Sequence, residues 1–236
     1  MSLKKSDGEG SATAQTYELL REDIVSCRLQ PDERVRLEEF RERYSVGASS
    51  LREALMRLEA EGLVLLEPNK GFRVLPISRE HLLDVMRARS EIDTLCLRWS
   101  LERGGVEWES TLVGSLHRLK RLSKRDGASD AAQNNWRVAH RAFHYALIEA
   151  CGSATFTSFH CMLAVHVERY VSISVGIENL PRDDMSEHEE IVRAALERNS
   201  EEAVELLRGH FAKTSDKLVS TLFGTHFAAV GSLASG

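Results

Sequence analysis

Two histidines, His140 and His144, stand four residues apart in the segment AHRAFHYALIEACGS, residues 139–153. An α-helix places positions i and i+4 on one face, so both imidazoles would lie on the same side of the helix. Such a pair can hold a divalent metal ion, but the same spacing occurs on many solvent-exposed helices. The choice between these interpretations depends on what the rest of the chain supplies.

Two further histidines favour the interpretation as a metal site. His188 and His210 fall on separate predicted helices in the same half of the chain. The core of a helical bundle is a natural place for ligands from facing helices to converge. Three or four histidines also describe a catalytic zinc centre. A histidine-ligated metalloenzyme acting on a small organic acid is therefore the alternative function, although the sequence identifies neither a general base nor a substrate cleft for it.

The amino-acid composition narrows the range of possible functions. The 236-residue chain has a formal net charge of −5, whereas nucleic-acid-binding domains usually carry a basic surplus, so any DNA contact must come from a local patch. None of the four cysteines forms a CxxC pair, which argues against a zinc ribbon or a disulfide framework. The polar start MSLKKSDGEGSA lacks a signal-peptide core, and no apolar run reaches the roughly 20 residues of a membrane span. We expect a cytoplasmic protein without membrane association, and a disordered tail over residues 1–12.

Residues 13–76 have the pattern of a winged helix-turn-helix DNA-binding domain. Apolar residues at three- and four-residue intervals predict helices ending near Cys27, over 37–44 and over 49–61, with Gly62 as the cap of the third. The run LVLLEPNKGFRVLPI then predicts a β-hairpin that turns at residues 68–71.

The third helix and the hairpin carry the candidate DNA contacts. Ser49 and Ser50 open this helix and Arg52 follows, off the leucine stripe. Hydroxyls and an arginine near a helix N-terminus suit phosphate and base contacts in a major groove. An ordinary solvated helix is the alternative, but the adjacent hairpin favours DNA binding. The hairpin adds the candidates Lys70, Gly71 and Arg73.

Residues 77–223 are predicted to form an all-α effector- and metal-binding domain, followed by a tail over 224–236. Apolar periodicity predicts helices over 78–103, 107–124, 131–151, 155–176, 184–198 and 200–221. Gly104-Gly105 and residues 179–181 mark breaks between helices, and no strand pattern appears in this half. The predicted fold class is thus mainly α: an N-terminal winged helix-turn-helix and a C-terminal all-α helical bundle.

The stretch LQPDERVRLEEFRERYSVGASSLREALMRLEAEGLV resembles the DNA-binding segment of the GntR family of bacterial transcriptional regulators. The matching features are Leu29-x-Pro31, the run LREAL at 51–55 and EGLV at 61–64. The family commonly has Ser-Arg-Thr-Pro where this chain has Gly47-Ala48-Ser49-Ser50. The resemblance implies Ser49 and Arg52 as DNA contacts but does not give the operator sequence.

The second half resembles the FCD ligand-binding domain of the FadR-type branch of that family. In that domain a helix bearing Asp-x-x-Phe-His supplies two metal ligands, and two later helices supply one histidine each, 22 residues apart. Here Phe143-His144 fits, His188 and His210 have the right separation, and His140 stands where many members have the aspartate. The resemblance implies a four-histidine site, and all-nitrogen coordination suits Zn²⁺ or Ni²⁺ better than Mn²⁺. Alternatively, His140 does not bind the metal, and three histidines leave coordination positions open.

The segment RARSEID matches a pattern on the first FCD helix, which implies Arg89 and Asp93 as effector-binding residues. A guanidinium can hold a carboxylate through two hydrogen bonds; a purely structural Arg89–Asp93 ion pair at i, i+4 is the alternative. Three segments, AHRAFHYALIEACGS, GASSLREAL and LERGGVEWES, look closest to the carbon-starvation-induced repressors. That resemblance implies a short dicarboxylate effector such as glutarate.

Together these patterns predict a metabolite-responsive transcriptional repressor that senses a small carboxylate. It would act as a homodimer on double-stranded operator DNA, because helix-turn-helix dimers match their two-fold axis to paired half-sites. The other histidines, among them His160, show no convergent spacing and are expected to be surface or core residues.

Overall fold

The computed structural model describes residues 6–122, 130–174 and 184–224. The chain divides into two compact units, Met1–Ser78 with Glu168–Gly176, and Arg79–Val167 with Ile177–Gly236. The division after Ser78 lies two residues beyond the predicted domain boundary, and the sequence did not predict that a later segment joins the first unit. Residues 1–5 and 225–236 of the predicted tails lie outside the described residues. The first helix begins at Ser6, inside the segment expected to be a disordered tail.

The first unit is a winged helix-turn-helix, as predicted. Its elements are α1 Ser6–Val25, β1 Arg34–Val35, α2 Leu37–Tyr44, α3 Ala48–Ala60, β2 Val64–Glu67 and β3 Gly71–Val74. The wing is a three-stranded antiparallel sheet in the order β1-β3-β2, rather than the two-stranded hairpin that the sequence indicates. The two-residue strand β1 pairs through Arg34 with Arg73 and through Val35 with Phe72.

The leucine stripe of α3 forms the centre of this unit. Leu51, Leu55 and Leu58 are fully buried, and α3 packs mainly against α1. Gly62 ends α3 with a φ of +70°, a left-handed conformation that costs glycine little. The amide of Leu63 then donates to the carbonyl of Leu58, which is the hydrogen bond expected of such a cap.

The second unit is a helical bundle. Its elements are α4 Arg79–Arg103, α5 Val106–Leu122, α6 Asp130–Ile148, a 3₁₀ turn Glu149–Cys151, α7 Ala154–Ser174, α8 Asp184–Leu196 and α9 Ser200–Phe223. Of α7, only the part up to Val167 belongs to this unit. Within residues 79–122, 130–167 and 184–224 there is no strand, as predicted. The predicted helix ends at 123–124 and 175–176 and the break at 179–181 fall outside the described residues.

Helix packing brings five of these helices together. α4 packs against α9 and α6, and α8 packs against α9 and α5. The sharp turn between α4 and α5 depends on Gly104, because a Cβ there would lie 2.5 Å from the ring of Trp108. None of the helices in the described ranges has the length and apolarity needed to cross a membrane.

Candidate metal centre and DNA-binding surface

The four candidate histidines converge in the second unit. His140 and His144 lie one turn apart on α6, His188 lies on α8 and His210 on α9. One ring nitrogen from each can be chosen so that all four lie within 4.8 Å of one another. His144, His188 and His210 are buried, while His140 is half-buried. The structure therefore brings together all four residues that the sequence pattern selected.

The spacing of the ring nitrogens fits a first-row transition metal. The Nε2 atoms of His140 and His144 are 3.2 Å apart. Tetrahedral Zn²⁺ with Zn–N bonds of about 2.05 Å separates its ligands by about 3.3 Å. These two histidines thus already stand at a ligand–ligand distance, and the other two ring nitrogens lie within 4.8 Å of them.

A carboxylate orients the fourth histidine. Glu187 Oε2 lies 2.9 Å from Nδ1 of His210, so Nδ1 carries the proton and Nε2 remains available to a metal. Lys213 contacts the other oxygen of Glu187 at 3.3 Å. Glu187 could not be predicted from the sequence, because its role depends on a contact between α8 and α9.

Electrostatics keep His144 in the form that binds metal. Burial holds the pKa of His144 well below its usual 6.5, and positive charge on His140 and Arg89 lowers it further. The ring is therefore neutral at pH 7, as a metal-bound imidazole must be. Its surroundings are aromatic: Phe143 and Phe211 pack against it with ring centres 5.4 and 5.7 Å away.

Arg89 and Asp93 lie on α4 beside this cluster. Both are buried, and Nε of Arg89 is 3.2 Å from Oδ2 of Asp93. The guanidinium carbon of Arg89 lies 5.1 Å from the centre of the Phe211 ring, which stacks on His144. The structural ion pair is thus present, and the same guanidinium is close enough to the histidines to lower a pKa there. His160, which was expected to be a surface or core residue, contacts the other oxygen of Asp93.

The predicted DNA-contact residues on α3 separate into two groups. Ser49 is exposed opposite the leucine stripe and Arg52 is exposed at its flank, and no described residue forms an ion pair with Arg52. Ser50 was expected to contact DNA, but it is only 8% exposed because it lies on the buried side of the first turn. Its hydroxyl is not part of the exposed surface of α3.

The wing residues also differ from one another. Lys70 is exposed, and Gly71 has a φ of +81° that lets the chain turn into β3. Arg73 was expected to be available for DNA, but its side chain is 18% exposed and is paired with Asp32 at 3.0 Å and Glu67 at 3.4 Å. These ion pairs hold its guanidinium against the sheet.

A winged helix-turn-helix in one unit and a helical bundle with clustered buried histidines in the other form the architecture of a two-domain DNA-binding regulator. Two family models match the chain: "Bacterial regulatory proteins, gntR family" over residues 12–74 and the FCD domain over residues 84–213. The chain belongs to the GntR family of bacterial regulatory proteins and carries an FCD domain. It is a transcriptional regulator that binds DNA, so the metalloenzyme alternative is wrong.

Known proteins resemble the chain over most of its length. It is 35% identical to the HTH-type transcriptional repressor GlaR of Escherichia coli K12, over 82% of this chain and 90% of that one. It is 37% identical to a transcriptional regulator named BphR in Paraburkholderia xenovorans LB400, over 83% and 80% of the two chains. The solved structure of E. coli McbR/YncC has the same fold, with a TM-score of 0.74 at 18% identity, covering 89% of this chain and 97% of that one.

Proposed function

We propose that this protein is a repressor that senses a small carboxylate, such as a dicarboxylate, through a metal held by His140, His144, His188 and His210. The observation that carries this proposal is the convergence of four ring nitrogens within 4.8 Å beside a buried arginine. Repression is supported by the name of the similar protein GlaR. We further propose that the protein acts in the cytoplasm as a homodimer on a palindromic operator.

Zn²⁺ and Ni²⁺ are the metals that best suit the site. Four imidazoles are neutral nitrogen ligands, which favour these ions over Mn²⁺. If three histidines held the metal without His140, an oxygen of the effector could bind in its place. His140 is the ligand suited to this exchange, because it is the one of the four that is not buried.

Arg89 supplies the second anchor for the effector. Its guanidinium carries five N–H donors, of which Nε is used by Asp93. A dicarboxylate would place one carboxylate on the metal and the other on the remaining donors of Arg89. The effector then changes DNA binding only to the extent that it binds the two conformations of the dimer with different affinity.

Metal analysis and calorimetry test the sensing site. The purified protein should contain about one Zn²⁺ or Ni²⁺ per chain, and the His144→Ala variant should not. Arg89→Ala should lower the affinity for glutarate and succinate more than for butyrate, while the exposed neighbour Arg87→Ala serves as the matched control. Equal affinity of the wild type and Arg89→Ala for every acid would show that Arg89 does not bind the effector and has only a structural role.

A gel-shift titration at fixed salt tests the DNA surface. Arg52→Ala should weaken operator binding by roughly 1–3 kcal/mol if Arg52 contacts a base. Arg52→Lys keeps the charge but loses the two-pronged geometry, so it should retain non-specific affinity and lose discrimination between operator and random DNA. Ser50→Ala should have little effect on affinity, because Ser50 is buried.

A further inference from the structure

The exposed face of α3 carries a large apolar side chain. Among residues 48–60, all of which the structure describes, Met56 is the one large apolar residue that is exposed, at 46%. The leucine stripe of the same helix is fully buried. Met56 follows Ser49 by seven residues, which is nearly two turns, so the two side chains lie almost in line. Met56 therefore lies at the centre of the face opposite the leucine stripe.

The neighbours of Met56 on this face have the spacing of a base-reading helix. Ser49, Arg52, Glu53 and Met56 are all exposed. Their positions i, i+3, i+4 and i+7 share one helical face, and the recognition helix of a homeodomain contacts DNA from positions with the same spacing. When a helix of this kind lies in the major groove, the face opposite the protein core is turned toward the base pairs. Met56 is then closer to the middle of the contact than Arg52, which lies at the flank.

The arginine that follows Met56 is held elsewhere. The guanidinium carbon of Arg57 lies 4.0 Å from the centre of the Tyr17 ring on α1. The hydroxyl of Tyr17 in turn donates a hydrogen bond to Glu61. Arg57 is thus fixed on the α1 side of α3, and the end of the Met56 side chain stays accessible.

The chemistry of a thioether decides which base Met56 can recognise. Methionine has no hydrogen-bond donor, and its sulfur is only a weak acceptor. In the major groove, guanine and adenine present hydrogen-bonding groups, and cytosine presents an amino group. Thymine also presents its C5-methyl group, which is the apolar feature of that groove. Among the four bases, thymine is therefore the one that an apolar side chain can distinguish by direct contact.

We propose that Met56 contacts the C5-methyl group of a thymine in the operator and so selects thymine at that position. Arg52 lies four residues before Met56, about 6 Å along the helix axis, and successive base pairs are about 3.4 Å apart. The thymine should therefore lie within two base pairs of the base that Arg52 contacts. This inference rests on the proposed DNA surface of α3, but it requires neither the metal nor the effector.

Removal of a single methyl group from the DNA tests this contact. The full-length protein, without effector, selects its binding site from a random pool of DNA duplexes. Each thymine of the selected site is then replaced singly by deoxyuridine, which lacks only the C5-methyl group. Gel-shift titrations at fixed salt compare the wild type with Met56→Gln, which has a similar length and helix propensity but a polar end, and with Met56→Leu, which stays apolar. Leu19→Gln is the matched control, because Leu19 is 48% exposed but lies on α1.

The wild type should bind about fourfold more weakly when the contacted thymine is replaced, because burial of one methyl group contributes about 0.8 kcal/mol. Met56→Gln should bind both duplexes equally, whereas Met56→Leu and Leu19→Gln should retain most of the difference. If no thymine is sensitive in the wild type, or if Met56→Gln shows the same fourfold difference, the contact does not exist.

Arg52→Ala distinguishes this failure from a failure of the proposed DNA surface. If Arg52→Ala weakens binding to the selected site and no thymine is sensitive, only the role of Met56 is overturned. If Arg52→Ala binds as the wild type does and no thymine is sensitive, the proposed DNA surface of α3 is overturned as well. Recovery of no preferred sequence from the pool would overturn both.

Discussion

The acid sensitivity of the metal-free second unit should depend on His144. Burial, followed by His140 and Arg89, keeps the pKa of this ring well below 6.5 in the folded state, whereas in the unfolded chain it titrates near 6.5. Below that pH the unfolded state binds a proton that the folded state excludes. The contribution of His144 to stability is therefore fully present above about pH 6.5 and is lost as the pH falls toward the folded pKa.

The size of the effect follows from the proton that is excluded. At pH 5.5, protonation of unfolded His144 favours unfolding by RT ln(1 + 10), about 1.4 kcal/mol. At pH 7.5 the same contribution is about 0.1 kcal/mol. His144→Phe keeps an aromatic ring in the same aromatic surroundings but cannot titrate. Between these two pH values the free energy of unfolding of the wild type should fall by up to about 1.4 kcal/mol more than that of the variant.

Tryptophan fluorescence during urea unfolding measures this difference in the right unit. All three tryptophans, Trp99, Trp108 and Trp136, belong to the second unit, and a chelator keeps the protein free of metal. His117→Phe, at an exposed histidine of α5, is the control and should follow the wild type. If the wild type and His144→Phe lose stability equally between pH 7.5 and 5.5, the buried neutral state of His144 is refuted.

Three further predictions concern the packing of the second unit. Gly104→Ala should lower the free energy of unfolding by about 1–3 kcal/mol through overpacking, because the added Cβ would lie 2.5 Å from the Trp108 ring. Gly105→Ala is the matched control, since its Cβ would be 3.5 Å from the nearest atom. Equal melting temperatures of the two variants would contradict the expected clash. Trp108→Phe removes the buried hydrogen bond from Nε1 to the carbonyl of Ala146, 2.8 Å long; it should cost about 1–3 kcal/mol in urea unfolding, and an unchanged midpoint would show that the carbonyl finds another donor. A thiol reagent should label the exposed Cys161 before Cys96, because burial and the neighbouring thiol of Cys151 raise the pKa of Cys96 to about 12; mass spectrometry that finds Cys96 labelled first in the folded protein would exclude this order.

Local patterns in the sequence were sufficient to predict the helices, and together with the family resemblance they predicted the histidine cluster. α2 has the predicted bounds, and α9 begins at the predicted residue, because apolar periodicity and capping residues act over one or two turns. The spacing of four residues places His140 and His144 on one helical face, and the resemblance to the FCD domain implied that His188 and His210 join them. The burial of Ser50 could also have been predicted from the sequence, because Ser50 precedes the buried Ala54 by four residues and lies on the same helical face.

Contacts between residues far apart in the chain were decided by tertiary structure alone. β1 is only two residues long and exists through its pairing with β3; too short for a periodic pattern, it was missed. The register of that sheet places Arg73 next to Asp32, which is 41 residues away in the sequence.

The same reason explains the two carboxylate–histidine pairs. Glu187 contacts His210 because α8 packs on α9. Asp93 contacts His160 because α4 lies against α7. The sequence determines which face of each helix is apolar, but a small rotation or shift of one helix along another changes which polar side chains meet. That rotation and shift are set by the close packing of the whole core, so the partners of His160 and His210 became visible only in the folded chain.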